Sequence, residues 1–294
     1  MTRVTEQMIF SSLTSSVMRS QGRVLGAQRQ AETGLKVEKP SDDPVHAARG
    51  TVLTTALERF ERMSRASGRV ELELGTADAT LGQADGVMSR VRELAIQGAN
   101  APLTADERRA MAAEVRRLRE SLLGMANTEV DGVYIFGGFR SDQPPFAADG
   151  SYAGDAGVRQ VELLPGVQVD ANKPGDALFG VAGGVDIFGL LDQVAIDLDA
   201  NAPAAVAAHL GNLDAAQRQL VAGRTDLGNQ QAKLESAEAQ RDELALGFTE
   251  GKANAVEIDA AEAYIELLEA QRSMQAAIAQ ATRILSGLSS ELSG

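Results

Sequence analysis

The chain has 294 residues, a formal net charge of −13, no cysteine, and only 4% aromatic residues. The acidic balance argues against nucleic acid as a partner, and the lack of cysteine excludes disulfides, thiolate zinc sites and iron–sulfur clusters. No apolar run is long enough for a secretory signal or a membrane span, so we expect no membrane insertion and no classical export signal.

The eight prolines leave three long windows free of the strongest helix breaker, namely 1–39, 45–101 and 204–294. In the first window apolar and small residues recur at steps of three and four, which predicts a helix with one apolar stripe. The N-terminal stripe consists of Phe10, Leu13, Val17, Val24, Ala27 and Ala31, with Ser20 as its polar member.

A turn containing Pro40, Ser41, Asp42, Asp43 and Pro44 follows the first window. Asp43 before Pro44 is typical of a helix start, because aspartate caps free backbone N–H groups and proline suits the first helical position. The two aspartates are also the acidic pair most open to a catalytic interpretation, but helix capping is the preferred one.

The second window has the clearest periodicity. Its stripe consists of Leu53, Ala56, Phe60, Met63, Ser67, Val70, Leu74, Ala77, Leu81, Ala84, Met88, Val91 and Ala95. A seven-residue repeat held this long predicts a left-handed helical bundle or coiled coil, and residues 45–100 would make a rod of roughly 80 Å.

Another helix is predicted after a short turn at 101–103, antiparallel to the helix of residues 45–100. Thr104 and Glu107 have the spacing of a capping box. The expected apolar stripe of this helix consists of Met111, Val115, Leu118, Leu122 and Met125.

The middle of the chain is rich in glycine and aromatic residues. Short β-prone runs occur at 134–136, 159–164 and 167–169, separated by turn residues. We therefore expect a small β-rich insertion, followed by a short helix around 186–198.

The last window begins with apolar residues at every seventh position, interrupted by Arg241. Gly247 to Lys252 superficially resembles a phosphate-binding loop but lacks its spacing and preceding strand, so a simple helix break is preferred. The C-terminal stripe consists of Tyr264, Leu267, Met274, Ile278, Ala281, Leu285, Leu288 and Leu292, with Gln271 as its polar member. The N-terminal window is net positive and the C-terminal segment net negative, which favours the two ends as partners.

These patterns predict a mainly α fold, a long helical rod or coiled coil formed by N- and C-terminal segments, with a small β-rich central insertion. The expected domains are 1–40 with 255–294 for coiled-coil assembly, 41–135 with 200–254 for the helical rod, and 136–199 for the outer insertion. His46 and His209 are too few for a metal or triad constellation. No catalytic, cofactor-binding or metal site is expected.

Three segments carry a resemblance to a known family. The run from Ala31 through the Pro40–Pro44 turn resembles the flagellin superfamily, and its two prolines resemble the hook–filament junction proteins within that superfamily. The segment from Asn127 through Gly138 to Phe146 is similar to the end of the family's N-terminal region, and 258–276 is similar to its C-terminal helix. Glu38 and the non-aromatic C-terminus depart from the family pattern.

The resemblance implies a structural subunit of the extracellular flagellum at the hook–filament junction, exported through the flagellar type III channel. Its implied partners are copies of itself in a ring, a first hook-associated protein, flagellin, and an export chaperone at the C-terminal helix. The terminal stripes would then be assembly surfaces. A short flagellin of the filament, or a cytoplasmic coiled-coil scaffold, are the alternatives.

Overall fold

The computed structural model describes residues 2–100 and 102–292, with side chains described for 7–100, 102–180 and 182–286. The long helices are α1 (Thr2–Thr33), α2 (Pro44–Asn100), α3 (Ala105–Ala126), α7 (Leu210–Val256) and α8 (Ala260–Leu292), and the shorter ones are α4 (Asp176–Phe179), α5 (Ile187–Asp199) and α6 (Pro203–Ala208). The strands are β1 (Glu129–Val130), β2 (Val133–Tyr134), β3 (Gln160–Leu164) and β4 (Val167–Asp170). The predicted mainly α fold with a small β-rich part is confirmed.

The chain divides into two compact units. The terminal unit comprises Met1–Arg59 and Leu244–Gly294, and the central unit comprises Phe60–Glu243. Helices α2 and α7 contribute residues to both units.

The seam between α2 and α7 forms the core of the central unit. The α2 positions of the predicted heptad from Phe60 to Ala95 are all buried. The facing α7 positions are also buried, namely Leu213, Ala216, Leu220, Leu227, Leu234 and Ala237. The seven-residue repeat therefore determined the buried face of α2 correctly, because only those positions stay on one side of a long helix.

Helix α3 begins at the predicted capping box, in which Glu107 N donates to Thr104 Oγ1 at 3.3 Å and Thr104 N donates to Glu107 Oε2 at 2.7 Å. Its predicted apolar stripe was only partly right, since Val115 and Leu122 are buried but the three other members are half-buried. The buried face also contains Arg108 and Arg119. Both arginines bury their aliphatic stems while their guanidinium groups donate to backbone carbonyl groups, those of Gly98 and Leu103 for Arg108 and those of Ala148 and Asp149 for Arg119.

The insertion is built from two antiparallel hairpins, β1–β2 and β3–β4. Asp131 and Gly132 have positive φ values of 51° and 80°, as the tight turn of a two-residue hairpin requires. Behind the hairpins lies an aromatic cluster, with the Phe179 ring 5.6 Å from Phe136 and 5.8 Å from Phe146. This cluster gives the insertion an aromatic core of its own.

One expectation for the last window was wrong. The chain does not break at 247–252, because α7 continues without interruption to Val256. The actual breaks are at His209, between α6 and α7, and at 257–259, before α8. Glycines in a long helix are tolerated where tertiary packing holds the helix on either side.

Candidate assembly surfaces

The chain ends are brought together by backbone hydrogen bonds next to the Pro40–Pro44 turn. Lys36 N donates to Val256 O at 2.8 Å, and Ile258 N donates to Gly34 O at 2.9 Å. These bonds join the segment after α1 to the segment before α8. The two terminal helices consequently leave the same point and pack against each other.

The contact between α1 and α8 includes small and polar side chains. Ala27 and Ala263 are buried, and Arg23 Nη2 donates to Ser273 Oγ at 3.1 Å. A cavity of about 480 Å³ lies along this contact, lined partly by Gly26 and Ala270.

The predicted N-terminal stripe lies partly in this contact and partly outside it. Ala27 is buried, whereas Leu13, Val17 and Val24 are half-buried and Ala31 is exposed. Phe10 is 60% exposed. Further large apolar side chains that the stripe did not include are also exposed on α1, namely Met8, Met18 and Leu25.

The predicted C-terminal stripe is divided in the same way. Leu267, Met274 and Ala281 are half-buried, whereas Tyr264, Ile278 and Leu285 are exposed by 60%, 44% and 45%. The side chains of Leu288 and Leu292 lie outside the described residues. Ile265 and Leu268 extend the exposed apolar surface of α8. Together the two helices leave apolar surface uncovered on faces turned away from each other.

Both aspartates of the family turn bond to backbone. Asp43 Oδ1 accepts from Val45 N and His46 N, each at 3.0 Å, and thereby caps α2. Asp42 Oδ2 accepts from Lys39 N at 3.0 Å. The His46 backbone N–H, followed by the His46 side chain, holds the pKa of Asp43 below its usual value. These contacts give both carboxylates a structural role in ordering the turn.

Sequence reasoning missed a polar layer in the α2–α7 seam. Ser67 and Arg241, the polar members of the two heptad stripes, face each other, and Arg241 Nη1 donates to Ser67 Oγ at 3.0 Å. Ser67 Oγ in turn lies 2.6 Å from Glu238 Oε1. The signal was present, since each stripe has one polar exception, but their pairing needs the relative register of two distant helices.

Each of the two histidines contacts one aspartate. His46 Nδ1 lies 2.7 Å from Asp43 Oδ2, and His209 Nε2 lies 2.7 Å from Asp197 Oδ2. Among the described residues, three or more potential metal ligands nowhere come together. Within those same residues, every helix is too short or too polar to cross a bilayer.

Comparison with known proteins gives a consistent set of relatives. Residues 4–141 match the family model of the bacterial flagellin N-terminal helical region. Flagellar hook-associated protein 3 of Escherichia coli (strain K12) is 27% identical over 292 residues, which cover 87% of this chain and 89% of the relative. Its namesake from Salmonella typhimurium is 28% identical over 161 residues, 54% of this chain and 51% of the relative.

A solved structure shares the fold. A protein from Vibrio parahaemolyticus described as a flagellar hook-associated protein superposes with a TM-score of 0.68 at 20% identity, covering 74% of this chain and 100% of that structure. The relatives are structural proteins without enzymatic activity, and the similarity to them confirms the expectation of a non-enzymatic chain. Residues 4–141 are thus similar to the N-terminal helical region of the bacterial flagellins, and the chain is similar, as its sequence predicted, to the proteins named flagellar hook-associated protein 3.

Proposed function

We propose that this chain is the structural adaptor that joins the flagellar hook to the flagellin filament, and that it assembles through its two terminal helices. The observation that carries the proposal is the exposed apolar surface of α1 and α8, exemplified by Phe10, Met18, Tyr264 and Ile278. Exposed apolar side chains occur singly on most proteins, but their concentration on one helix pair marks an interaction surface.

The energetics favour assembly over a free helix pair. Full burial of a Leu, Ile, Met or Phe side chain contributes about 1.5–3 kcal/mol. Loss of side-chain and backbone freedom on association offsets part of this gain. Burial of several such side chains between neighbouring subunits would therefore favour association of α1 and α8 with other copies.

The partners follow from the same proposal. Copies of the chain would form a ring, with a first hook-associated protein on one side and flagellin on the other. Export through the flagellar type III channel, without a classical signal, would deliver the chain to the extracellular flagellum. An export chaperone would cover the apolar face of α8 before assembly.

The proposed division of labour assigns assembly to 1–40 with 255–294, the helical domain to 41–135 with 200–254, and the outer surface to 136–199. Two observations support this division. The exposed apolar stripe residues lie in the terminal helices. The β3–β4 hairpin lies within 136–199, and the β1–β2 hairpin ends just before it.

The test uses source cells that lack the gene. The full chain should restore filaments on hooks, whereas a chain without 260–294 should not. A finer variant, Ile278→Ser with Leu285→Ser, should lower incorporation into flagella strongly. The matched control, Ala276→Ser with Ala279→Ser, changes exposed positions of the same helix and should incorporate normally. Normal filaments from the truncated chain would refute the proposal.

A short flagellin is the second candidate, favoured by the match to the flagellin N-terminal region. Purified chain that polymerises alone into long filaments would support it. An adaptor should instead add a short layer to isolated hooks and then stop.

A further inference from the structure

In the terminal unit, the first turns of α2 pack against the last turns of α7. A Cβ atom at Gly50 would lie 2.6 Å from Val256 Cγ1, and one at Gly251 would lie 3.5 Å from Leu53 Cδ1. These contacts identify the side of each helix that faces the other. They also establish the level of each residue along the pair, because Gly50 lies opposite Val256 and Leu53 lies opposite Gly251.

The side of α2 that faces away from α7 is apolar and basic. Residues two apart on a helix are about 200° apart, so Val52 points away from α7 when Gly50 points towards it. Arg49 and Val45 precede Val52 by three and seven residues and share its side. Val45 and Val52 are 74% and 68% exposed, and Arg49 is exposed as well. We call Val45, Arg49 and Val52 the basic face.

The side of α7 that faces away from α2 is apolar and acidic. Leu246 lies five residues before Gly251, which places it about 140° around the helix from the contact with α2. Glu250 follows Leu246 by four residues and shares its side. Leu246 is 62% exposed, and both Glu250 and Glu257, the residue directly after the end of α7, are exposed. We call Leu246, Glu250 and Glu257 the acidic face.

Packing inside one copy does not explain the valines of the basic face. Valine is a poorer helix former than alanine or leucine, because its branched side chain loses rotamer freedom in a helix. Val45 and Val52 therefore weaken α2, and their exposure means that burial does not offset this cost. From Pro44 to Leu57, α2 contains no carboxylate, so Arg49 gives the face a positive charge. A surface with these properties suits an interface.

We propose that the basic face of one copy docks against the acidic face of the next copy. This inference rests on the proposed function, since it names surfaces through which ring neighbours meet. Charge complementarity identifies the occupant, because Arg49 would meet Glu250 and Glu257 across the contact. Among the described residues, none of these three side chains forms an ion pair within the copy. The valines and Leu246 would be covered by the neighbouring helix.

The position of the two faces suits a ring contact. They lie on opposite sides of the helix pair, and a contact between unlike faces is heterologous, so it closes into a ring when its rotation allows. They also lie at the same level, since the packing of Gly50 on Val256 places Arg49 level with Glu257. Neighbours can therefore meet side by side with little axial shift. A two-fold dimer through either face would bring like charges together and is disfavoured.

Crosslinking in assembled flagella tests the proximity of the two faces. The natural chain has no cysteine, so introduced thiols are unique. Val52→Cys with Glu250→Cys places one thiol on each face. Within one copy these thiols lie on opposite sides of two helices whose axes are about 8–10 Å apart, so a bismaleimide shorter than this spacing joins different copies only. The expected product is a ladder of dimers, trimers and larger species, detected with an antibody to the chain.

The single variants Val52→Cys and Glu250→Cys are the controls. Each presents one thiol per copy, on faces that do not meet their own kind in a heterologous contact, so both should remain uncrosslinked. Dimers from either single variant would indicate a two-fold contact and would overturn the proposal. Flagella that form normally from the double variant but give no ladder would overturn it as well.

Substitution of the two valines tests the apolar part of the contact. Val45→Ser with Val52→Ser should retain α2, because serine and valine have similar helix propensities. Incorporation into flagella should fall about tenfold, since the neighbour then covers polar side chains. The control is Val158→Ser with Val167→Ser, which changes two valines of the insertion that are each 39% exposed. The control should incorporate like the natural chain, and equal incorporation of both variants would overturn the proposal.

Charge reversal tests the polar part. Arg49→Glu should lower incorporation severalfold, because like charges then meet across the contact, and adding Glu250→Arg with Glu257→Arg should recover it. Arg117→Glu, at an exposed position of α3, is the control with the same change in net charge. Circular dichroism checks that each variant is folded. A folded compensated chain that does not recover would overturn the docking proposal, whereas failure of the natural chain to restore filaments would overturn the proposed function itself.

Discussion

The polar layer of the α2–α7 seam makes the sharpest stability prediction. Arg241 is 6% exposed and occupies a core position of the α7 repeat. In Arg241→Ala, two buried methylene groups are lost, at about 0.8 kcal/mol each. The hydrogen bond to Ser67 contributes about 1 kcal/mol more, and the remaining void adds a further cost. We expect the free energy of unfolding to fall by about 3 kcal/mol.

A paired substitution should behave differently. Ser67→Ala with Arg241→Leu replaces both buried polar groups by apolar ones and extends the leucine stripe. Such replacements are often neutral or stabilising, and the Glu238 side chain, which is 28% exposed, can turn to water. We therefore expect this double variant to lie within about 1 kcal/mol of the natural chain, or above it.

Urea unfolding followed by circular dichroism measures both differences. Hydrogen exchange around Ser67 locates the effect, which matters because a chain of two units need not unfold in one step. A loss below about 0.5 kcal/mol for Arg241→Ala, or an equal loss in the double variant, would refute the reasoning.

Three further predictions concern single groups. The pKa of Asp43 should lie below its usual 3.8, held there first by the His46 backbone N–H. Its stabilising effect should be complete above the unfolded pKa and be lost as pH falls through the folded pKa. An NMR titration midpoint at or above 3.8 would contradict this. Burial raises the pKa of Tyr152 from 10.0 to about 12. The insertion should therefore lose stability as pH rises from about 10 through 12. In an absorbance titration, the Tyr152→Phe chain should lack the phenol that ionises near pH 12 in the natural chain. Gly98→Ala should destabilise the chain by about 1–3 kcal/mol through overpacking. Its control in the same helix, Gly86→Ala, has open space and should stabilise by about 0.5–1 kcal/mol in thermal unfolding.

The sequence was most informative where one local rule decides the outcome. The α2 core followed from the heptad repeat, the start of α3 from the Thr104–Glu107 spacing, and the start of α2 from Asp43 and Pro44. Each of these features depends on residues within one or two turns of helix. Strands β3 and β4 were located to within a residue or two for the same reason, since glycine and proline mark their turn, whereas β1 was not predicted.

The same reasoning did not predict which long charged side chains are buried. Arg108, Arg119 and Arg241 are buried, although arginine is usually a surface residue. Their burial depends on partners far along the chain, as when Arg119 Nη2 donates to Asp149 O at 2.8 Å. Periodicity assigns a residue to a face of a helix, but it does not show whether a carbonyl group of a distant segment lies close enough to accept a hydrogen bond from that residue.

By itself, then, the sequence determined which segments are helical, which face of α2 is apolar, and that two matching stripes lie near the chain ends. The tertiary structure decided how much of each stripe is covered, leaving Phe10 and Ile278 exposed while Ala27 is buried. It also decided that Ser67 meets Arg241. The physical reason is that helix formation and amphipathicity are set within a few residues, whereas burial depends on the register of helices that meet only after the chain has folded.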